Sequence, residues 1–586
     1  MFKSLLRIGE MTGSGSSTKL PIVKVRTKGE GLLCFVVFDN AEKKVYVEKE
    51  KLGEGDEEKY AFIDDAKGQK PQDRLTTKHL EYILGFKKDG GEKVKGNKFA
   101  LEVVRDKLKD GEARRLLDEV LDWYSPGTNV DLKDDDWECT LYTVRVKTKG
   151  GEVIDLATLD DYRRSLIDYG ETVKGKCQFC GSDQVLEDPA YPGGKMLKVF
   201  ITDKKGFLSQ FGDVTQSHAI CPSCKYKLEM GLNYVESKLT TNIGKLNVSI
   251  VPDLPPNADA DMLSAIEVSR EGYILKGLEQ LVRGERDVDE ALRYMGADVR
   301  LDLVFGESQQ NKFKLWRVIP EVGVPRLVQI ANLMKEAKAK VDRTPDGGKL
   351  GLGDVSFNTL YGVLPVRDVG GKVDPKVFLE FLEAMLLGNP VDKNYVYSSF
   401  LSVIKCRRYD SCTNSLTSFS LEDLVLYQEI FIYVMEELGI MEANTGQVHN
   451  QEVKDVSSYA DSLGLKGGLK GLFLLGVLTA HVGRAQYNKG DQKKAILDKI
   501  DFEGMDYDDV ISYANRLMES LRDYKLLNSY TELLYSEAVS LIKSNRGDLS
   551  DTQSNVFHIL LGYSYQTKVF IQSKAQKGGE EEEEEE

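Results

Sequence analysis

Four cysteines carry the clearest chemistry in this 586-residue sequence. They come as two pairs, Cys177-Gln-Phe-Cys180 and Cys221-Pro-Ser-Cys224. A two-residue gap lets both thiolates of a tight turn grip one tetrahedral ion. Gly181 follows the first pair, where such a knuckle often needs a positive φ. The second pair runs into Lys225–Val235, which reads as a short helix. Four soft ligands with no open position predict a closed, structural Zn²⁺ site and not a catalytic one. The competing reading, four unpaired buried thiols, leaves two matched spacings to chance. Forty residues separate the pairs, more than a ribbon usually holds, so the ion is expected to staple the base of a large loop. His218, three residues before Cys221, is the alternative ligand.

The elements that must position this site are those of an α+β chain. Its length is too great for one core. Residues 1–170 read as a mixed α/β domain. Leu32-Leu33-Cys34-Phe35-Val36-Val37-Phe38 is an unbroken apolar run, Asp39-Asn40 a turn, and Lys44–Glu48 an alternating strand. Phe99–Tyr124 predicts one helix or two, Trp137–Thr148 a strand, Gly150-Gly151 a hairpin turn, and Asp160–Tyr169 a helix. Residues 171–240 are the four-cysteine module, a zinc-ribbon-like insertion with a long loop in which Met196–Ile201 reads as a strand. Residues 241–462 form a middle region running from mixed α/β to helical. In it, Asp261–Leu281 is helical and Val299–Phe305 with Lys312–Ile319 reads as a hairpin. Helices are expected at Arg326–Lys340, Pro375–Leu387 and Leu421–Leu438. Residues 463–577 read as an antiparallel helical bundle: Leu469–Tyr487, Lys493–Ile500, Tyr507–Tyr524, Ser529–Ser544 and Thr552–Phe570, with Asp506, Asn528 and Asp551 as N-caps. The last helix is apolar on most of its circumference and belongs at the bundle centre. Residues 578–586 read as a disordered acidic tail.

Composition narrows the function classes. The sequence is 41% hydrophobic and 30% charged, with a net charge of −15. That acidity argues against a protein that coats nucleic acid unaided. Lys174–Lys238 nonetheless holds nine basic against seven acidic residues, and Leu463–Lys577 fifteen against thirteen. Such local balance permits phosphate contacts without requiring them. Cysteine usage suggests a reducing cytoplasm. The longest apolar stretch, Gly471–Ala480, is too short to span a bilayer.

Catalytic patterns are missing. Gly13–Lys19 lacks the glycine before its lysine that a phosphate loop needs, and Gly351-Leu352-Gly353 lacks a third glycine. No Gly-x-Ser-x-Gly elbow occurs. The five histidines never fall in a metal-binding or relay spacing. His481 and His558 lie in apolar helices and read as core or interface residues. Asp134-Asp135-Asp136 and Asp508-Asp509 read as exposed acidic turns before they read as ion sites. A non-enzyme is the expectation.

Three stretches together resemble the large subunit of the type I-B CRISPR surveillance complex, Cascade. They are the Cys177/Cys180–Cys221/Cys224 module; Asn311-Lys312-Phe313-Lys314-Leu315-Trp316-Arg317-Val318-Ile319-Pro320-Glu321-Val322 continuing to Pro325-Arg326-Leu327; and the pair Phe473–Leu478 with Asn555-Val556-Phe557-His558-Ile559-Leu560-Leu561-Gly562-Tyr563-Ser564. The likeness spans roughly residues 170–570, and residues 1–170 are placed by position alone. It implies a non-catalytic subunit that reads a short flanking motif in target duplex DNA and contacts the 5′ handle of the guide RNA. It also implies stabilisation of the R-loop beside backbone and small subunits, and docking of a helicase-nuclease, in the cytoplasm and away from membranes. Base pairing would then carry the sequence specificity. The C-terminal bundle would resemble the small subunits that hold the displaced strand, and it can be made separately in this family; Met441 is the preferred internal start. Within that reading Lys195, Lys198, Lys204 and Lys205 are candidates for phosphate contact, and Lys493, Lys494, Arg516 and Arg522 for holding the displaced strand. Each also has a plain surface-charge reading. The alternative function is a zinc-ribbon scaffold or nucleic-acid-binding protein outside CRISPR.

Overall fold

The computed structural model describes residues 1–13, 31–62, 73–88, 99–108, 110–166, 170–189, 191, 196–200, 218–254, 258, 261, 263, 299–309, 312–345, 347–369, 372–409, 419–442, 455–490 and 494–583. The fold is α+β, and the chain divides into two compact units. The first gathers residues 1–240, 249–264 and 302–318, the second residues 241–248, 265–301 and 319–586.

In the first unit, β1 (Leu32–Asp39) is flanked by β2 (Lys44–Lys51) on one edge and β3 (Leu141–Lys147) on the other, with β4 (Val153–Asp155) beyond. β1 runs antiparallel to β2 and parallel to β3. This central place is why its apolar run does not alternate: Leu33 to Phe38 are all buried, on both faces. Helices α2 (Ala100–Lys107) and α3 (Glu112–Leu121) pack Leu101, Val104, Leu116, Leu117 and Val120 into the same core. A shorter helix, α4 (Asp160–Ser165), follows β4. Cys34 and Cys139 are joined in a disulfide, which the expectation of a reducing cytoplasm did not include. The parallel β1–β3 pairing brings residue 139 alongside β1, where Thr140 N donates to Leu32 O at 3.0 Å.

Preceding this domain is α1 (Phe2–Gly13), a helix with Phe2, Leu5 and Leu6 at helical spacing. Leu5 and Ile8 are fully buried. A Cβ on Gly9 would lie 1.8 Å from Lys227 O, and one on Gly231 would lie 2.0 Å from Leu5 O. Two glycines therefore let α1 cross the helix that follows the cysteines with backbones touching.

Strands β7 (Thr240–Ile243), β8 (Leu246–Asp253), β9 (Arg300–Gln309) and β10 (Lys312–Gly323) form a second sheet in the order β10-β9-β8-β7. The expected hairpin is present, with strands longer than the alternation implied. Most of Asp261–Leu281 lies outside the described residues.

The second unit is chiefly helical: α7 (Val324–Val341), α8 (Phe357–Val363), α9 (Lys376–Leu387), α10 (Lys393–Arg408), α11 (Leu421–Glu437), α12 (Val456–Ser462), α13 (Gly467–Asn488), α14 (Tyr507–Asp523), α15 (Ser529–Ser544) and α16 (Thr552–Glu583). Asp506 accepts from Asp509 N at 2.9 Å, Asn528 from Thr531 N at 3.1 Å, and Asp551 from Ser554 N at 3.0 Å, so the three expected caps are in place. Lys493–Ile500, expected as a helix, forms only a 3₁₀ turn at Ala495–Lys499, entered through Lys494 at φ +54°. α16 runs on to Glu583, where the acidic tail was expected to be disordered. Elongating an existing helix adds a hydrogen bond per residue, and glutamate is a good helix former.

Candidate metal centre

Each cysteine pair is held by a different device. Strands β5 (Thr172–Lys174) and β6 (Gln184–Leu186) pair antiparallel and carry the first knuckle at their tip. Cys177 N donates to Ser182 O at 2.7 Å, and Gly181 N returns to Cys177 O at 2.9 Å. That return needs φ +75° at Gly181, the left-handed conformation that a missing Cβ makes cheap. Leu186 N donates to Ile220 O at 2.9 Å and Gln178 N to Ala219 O at 2.9 Å, stitching the second pair to the first. Cys221 then caps α6 (Pro222–Lys238), with Pro222 in its first turn and Cys224 N donating to Cys221 Sγ at 3.4 Å.

The four sulfurs lie within 4.8 Å of one another. Cys180 Sγ and Cys221 Sγ are 3.6 Å apart, against about 3.8 Å for the edge of a tetrahedron with Zn–S bonds near 2.3 Å. Cys177, Cys221 and Cys224 are buried, and Cys180 faces solvent. Burial raises the Cys177 thiol, but backbone donors at Cys180, Cys221 and Phe179 outweigh it and bring the pKa down to about 7. Burial pushes Cys221 and Cys224 up, and their contacts with Cys180 add to it. The donor set fits a soft tetrahedral ion that closes the site.

His218 is not among these donors. Its Nδ1 pairs with Gln178 Nε2 at 2.9 Å and its Nε2 with Tyr191 Oη at 3.2 Å. Burial, aided by the charge of Lys225, lowers its pKa to about 4. The ring buttresses the first knuckle from behind, edge-on to Phe179 at 6.1 Å. Sequence spacing suggested a ligand; the hydrogen bonds make it a support. Met196–Ile201, expected as a strand, is instead the short helix α5 (Leu197–Phe200). A brief apolar run does not by itself separate the two periods.

The basic candidates scatter. Lys195, Lys204, Lys205 and Lys493 lie outside the described residues. Lys198 sits part-exposed on α5. Arg516 and Arg522 are exposed on α14, and Arg516 donates to Ser512 Oγ at 3.1 Å. Lys494 is held inward, donating to Tyr563 Oη at 2.7 Å and lying 3.4 Å from Glu422. Burial opposes its charge, yet those two partners raise its pKa. The acidic triplet is already neutralised: Lys49 meets Asp135 at 2.7 Å and Asp136 at 2.8 Å, and Lys88 meets Asp134 at 3.7 Å. Asp509 serves the α14 capping box. His558 is buried, with Nδ1 on Ser554 O at 2.7 Å, as a core histidine should be.

Residues 174–322, which contain both cysteine pairs and β10, match the central domain of CRISPR-associated protein TM1802. Residues 355–577, which contain the helical bundle, match its C-terminal domain. The chain is a CRISPR-associated protein. No curated protein matches it. The expectation of a scaffold outside CRISPR does not survive these matches. Among the described residues, no helix is long and apolar enough to cross a membrane.

The strings that carried the resemblance turn out to be structural joints of this CRISPR-associated protein. After β10, Pro325 lies in the first turn of α7, Arg326 Nε donates to Met385 O at 2.8 Å, and Leu327 enters the core. In the bundle, Gly476 of α13 and Gly562 of α16 mark the helix crossing. A Cβ on either would lie 1.9 Å from a carbonyl oxygen of the other helix, that of Ile559 or Phe473. Asn555 Nδ2 donates to both Met505 O and Leu549 O at 2.9 Å, which ties the start of α16 to the two turns beside it.

Proposed function

We propose that this chain is the large, non-catalytic subunit of a type I-B Cascade. It recognises the motif flanking the target in duplex DNA, contacts the guide RNA 5′ handle, stabilises the R-loop and docks the helicase-nuclease. The observation that carries the proposal is the pairing, in one chain, of a central CRISPR-associated domain built on a closed four-cysteine site with a C-terminal CRISPR-associated helical bundle. A closed thiolate site supplies rigidity and offers no open position for a reacting group. An acidic chain with local basic residues suits nucleic-acid contact made inside an assembly.

The bundle is the part assigned to the displaced strand, with exposed Arg516 and Arg522 as its phosphate contacts. A separate product starting at Met441 would contain α12 to α16. It would lack α10, whose Tyr397 and Phe400 meet Phe557 of α16 at 5.3 and 6.4 Å. Such a product would need another surface over that face.

The test is a tagged pull-down from the native host. Recovery of backbone subunits and a guide RNA with the tagged chain supports the assignment. Purification of the chain alone, or nuclease or nucleotidase turnover that tracks with it, would overturn it.

A further inference from the structure

An aromatic surface on the bundle lies where α13, α15 and α16 meet. The His481 ring of α13 meets the Phe570 ring of α16 edge-on at 5.0 Å and the Tyr530 ring of α15 at 6.0 Å. The Arg484 guanidinium, one turn after His481, lies 4.4 Å from the centre of the Phe570 ring. Tyr530 is 48% exposed and Ile571, beside Phe570, is 52% exposed. The Tyr530 ring is thus left open to solvent beside the half-buried His481 and Phe570 rings, an aromatic face on which another ring can stack.

The charges say what would cover them. Arg484 is exposed, and no carboxylate among the described residues pairs with it. His481 Nε2 has no hydrogen-bond partner among the described residues. Burial, with help from Arg484, brings the histidine pKa down to about 4, so at neutral pH the ring is an uncharged aromatic wall. Burial, then the charge of Asp455, holds the Tyr530 hydroxyl above its ordinary pKa. The surface is thus polarised, with an anion favoured at Arg484 and disfavoured at Tyr530. A planar base carrying a phosphate on one side has that polarity. Every nucleobase offers a π-face to a ring, and a guanidinium suits a phosphate.

We propose that Tyr530, His481, Phe570 and Arg484 form a stacking site for one unpaired base of a single strand, with Arg484 on the adjoining phosphate. This rests on the reading of the bundle as the holder of the displaced strand, and adds a base-stacking contact to the phosphate contacts of α14.

The test is fluorescence anisotropy at low salt of the complex recovered with the tagged chain, using a fluorescein-labelled oligothymidylate and an abasic strand of equal length. Tyr530→Ala should weaken oligothymidylate binding roughly tenfold and leave abasic binding unchanged, while Tyr530→Phe should stay within about twofold of the parent. Arg484→Ala should weaken both strands. Circular dichroism checks that each variant folds. The paired change Arg516→Glu with Arg522→Glu reports separately on the wider reading of the bundle. Strand binding that Tyr530→Ala leaves unchanged overturns the stacking site alone. A complete lack of strand binding overturns the stacking site and the wider reading together. If Tyr530→Ala instead strips a protein subunit from the pull-down at unchanged strand affinity, the surface belongs to a protein and the proposal fails.

Discussion

The metal centre and the α13–α16 crossing solve the same problem by opposite means. Around the cysteines there is little secondary structure: two three-residue strands, a turn and a helix start. Among the described residues the apolar side chains there, such as Val185, Leu186 and Ile220, are fewer than in the bundle, and four thiols able to hold one ion would add the missing cohesion. At the helix crossing the apolar supply is ample. Leu472 to Leu475, Val477 and Leu478 of α13 and Val556 to Leu561 of α16 are all buried. Cohesion there depends on how closely the helices approach, and Gly476 and Gly562 set that distance. The first region is fixed by valence and the second by volume.

Each region should therefore fail to its own insult. The largest effect is expected from metal removal, since structural zinc sites contribute on the order of 10 kcal/mol to folding. A strong chelator, or Cys177→Ser, should expose residues 171–238 to protease and leave the melting of the bundle in place. Elemental analysis should find about one ion per chain before and none after, for a four-ligand site. A bundle that melts together with the chelated module would dissolve the contrast.

Overpacking the crossing comes next. Gly476→Val or Gly562→Leu should cost about 3 kcal/mol or more, because the clash is with backbone and not with a side chain that can swing away. Denaturant melts should show it, with metal content unchanged.

The two regions should also answer pH with opposite signs. Glu429 of α11 is fully desolvated, and burial followed by the nearby charge of Glu436 raises its pKa to about 8. The folded chain then holds a proton that the unfolded chain releases near pH 4.5. Stability of the helical second unit should fall as pH rises from about 4.5 to 8 and level off above. Glu429→Gln should flatten that slope. The metal module should do the reverse, since thiols must lose protons to bind an ion. Parallel pH profiles in the two regions would contradict the assignment.

The smallest effect belongs to the caps. Asp506→Ala should cost about 1 kcal/mol by thermal melting, through loss of the bond to Asp509 N.

Much of this architecture could be read before any coordinates. The two cysteine spacings, the central strand at Leu32–Phe38, and the helices Ser529–Ser544 and Leu421–Glu437 follow from local pattern, because ligand spacing and hydrophobic period act over a few residues. Other features stayed hidden. α1 carries helical apolar spacing at Phe2, Leu5 and Leu6, but its close crossing over Gly9 and Gly231 was legible only in three dimensions. His218 looked like a ligand until Gln178 and Tyr191 occupied both of its ring nitrogens. Lys494 looked like a surface charge until Tyr563 and Glu422, remote in sequence, enclosed it. The Tyr530 surface carries no motif at all, since its four residues come from three helices.

The sequence alone determined the two cysteine pairs, the α+β class and the helical C-terminal region, because each is a property of neighbours along the chain. Only the tertiary structure decided which histidine supports the cysteine knuckle, which lysine is enclosed, and which arginine faces water with no carboxylate partner among the described residues. Those outcomes depend on what distant segments bring alongside, and burial and hydrogen bonding are settled by three-dimensional neighbours.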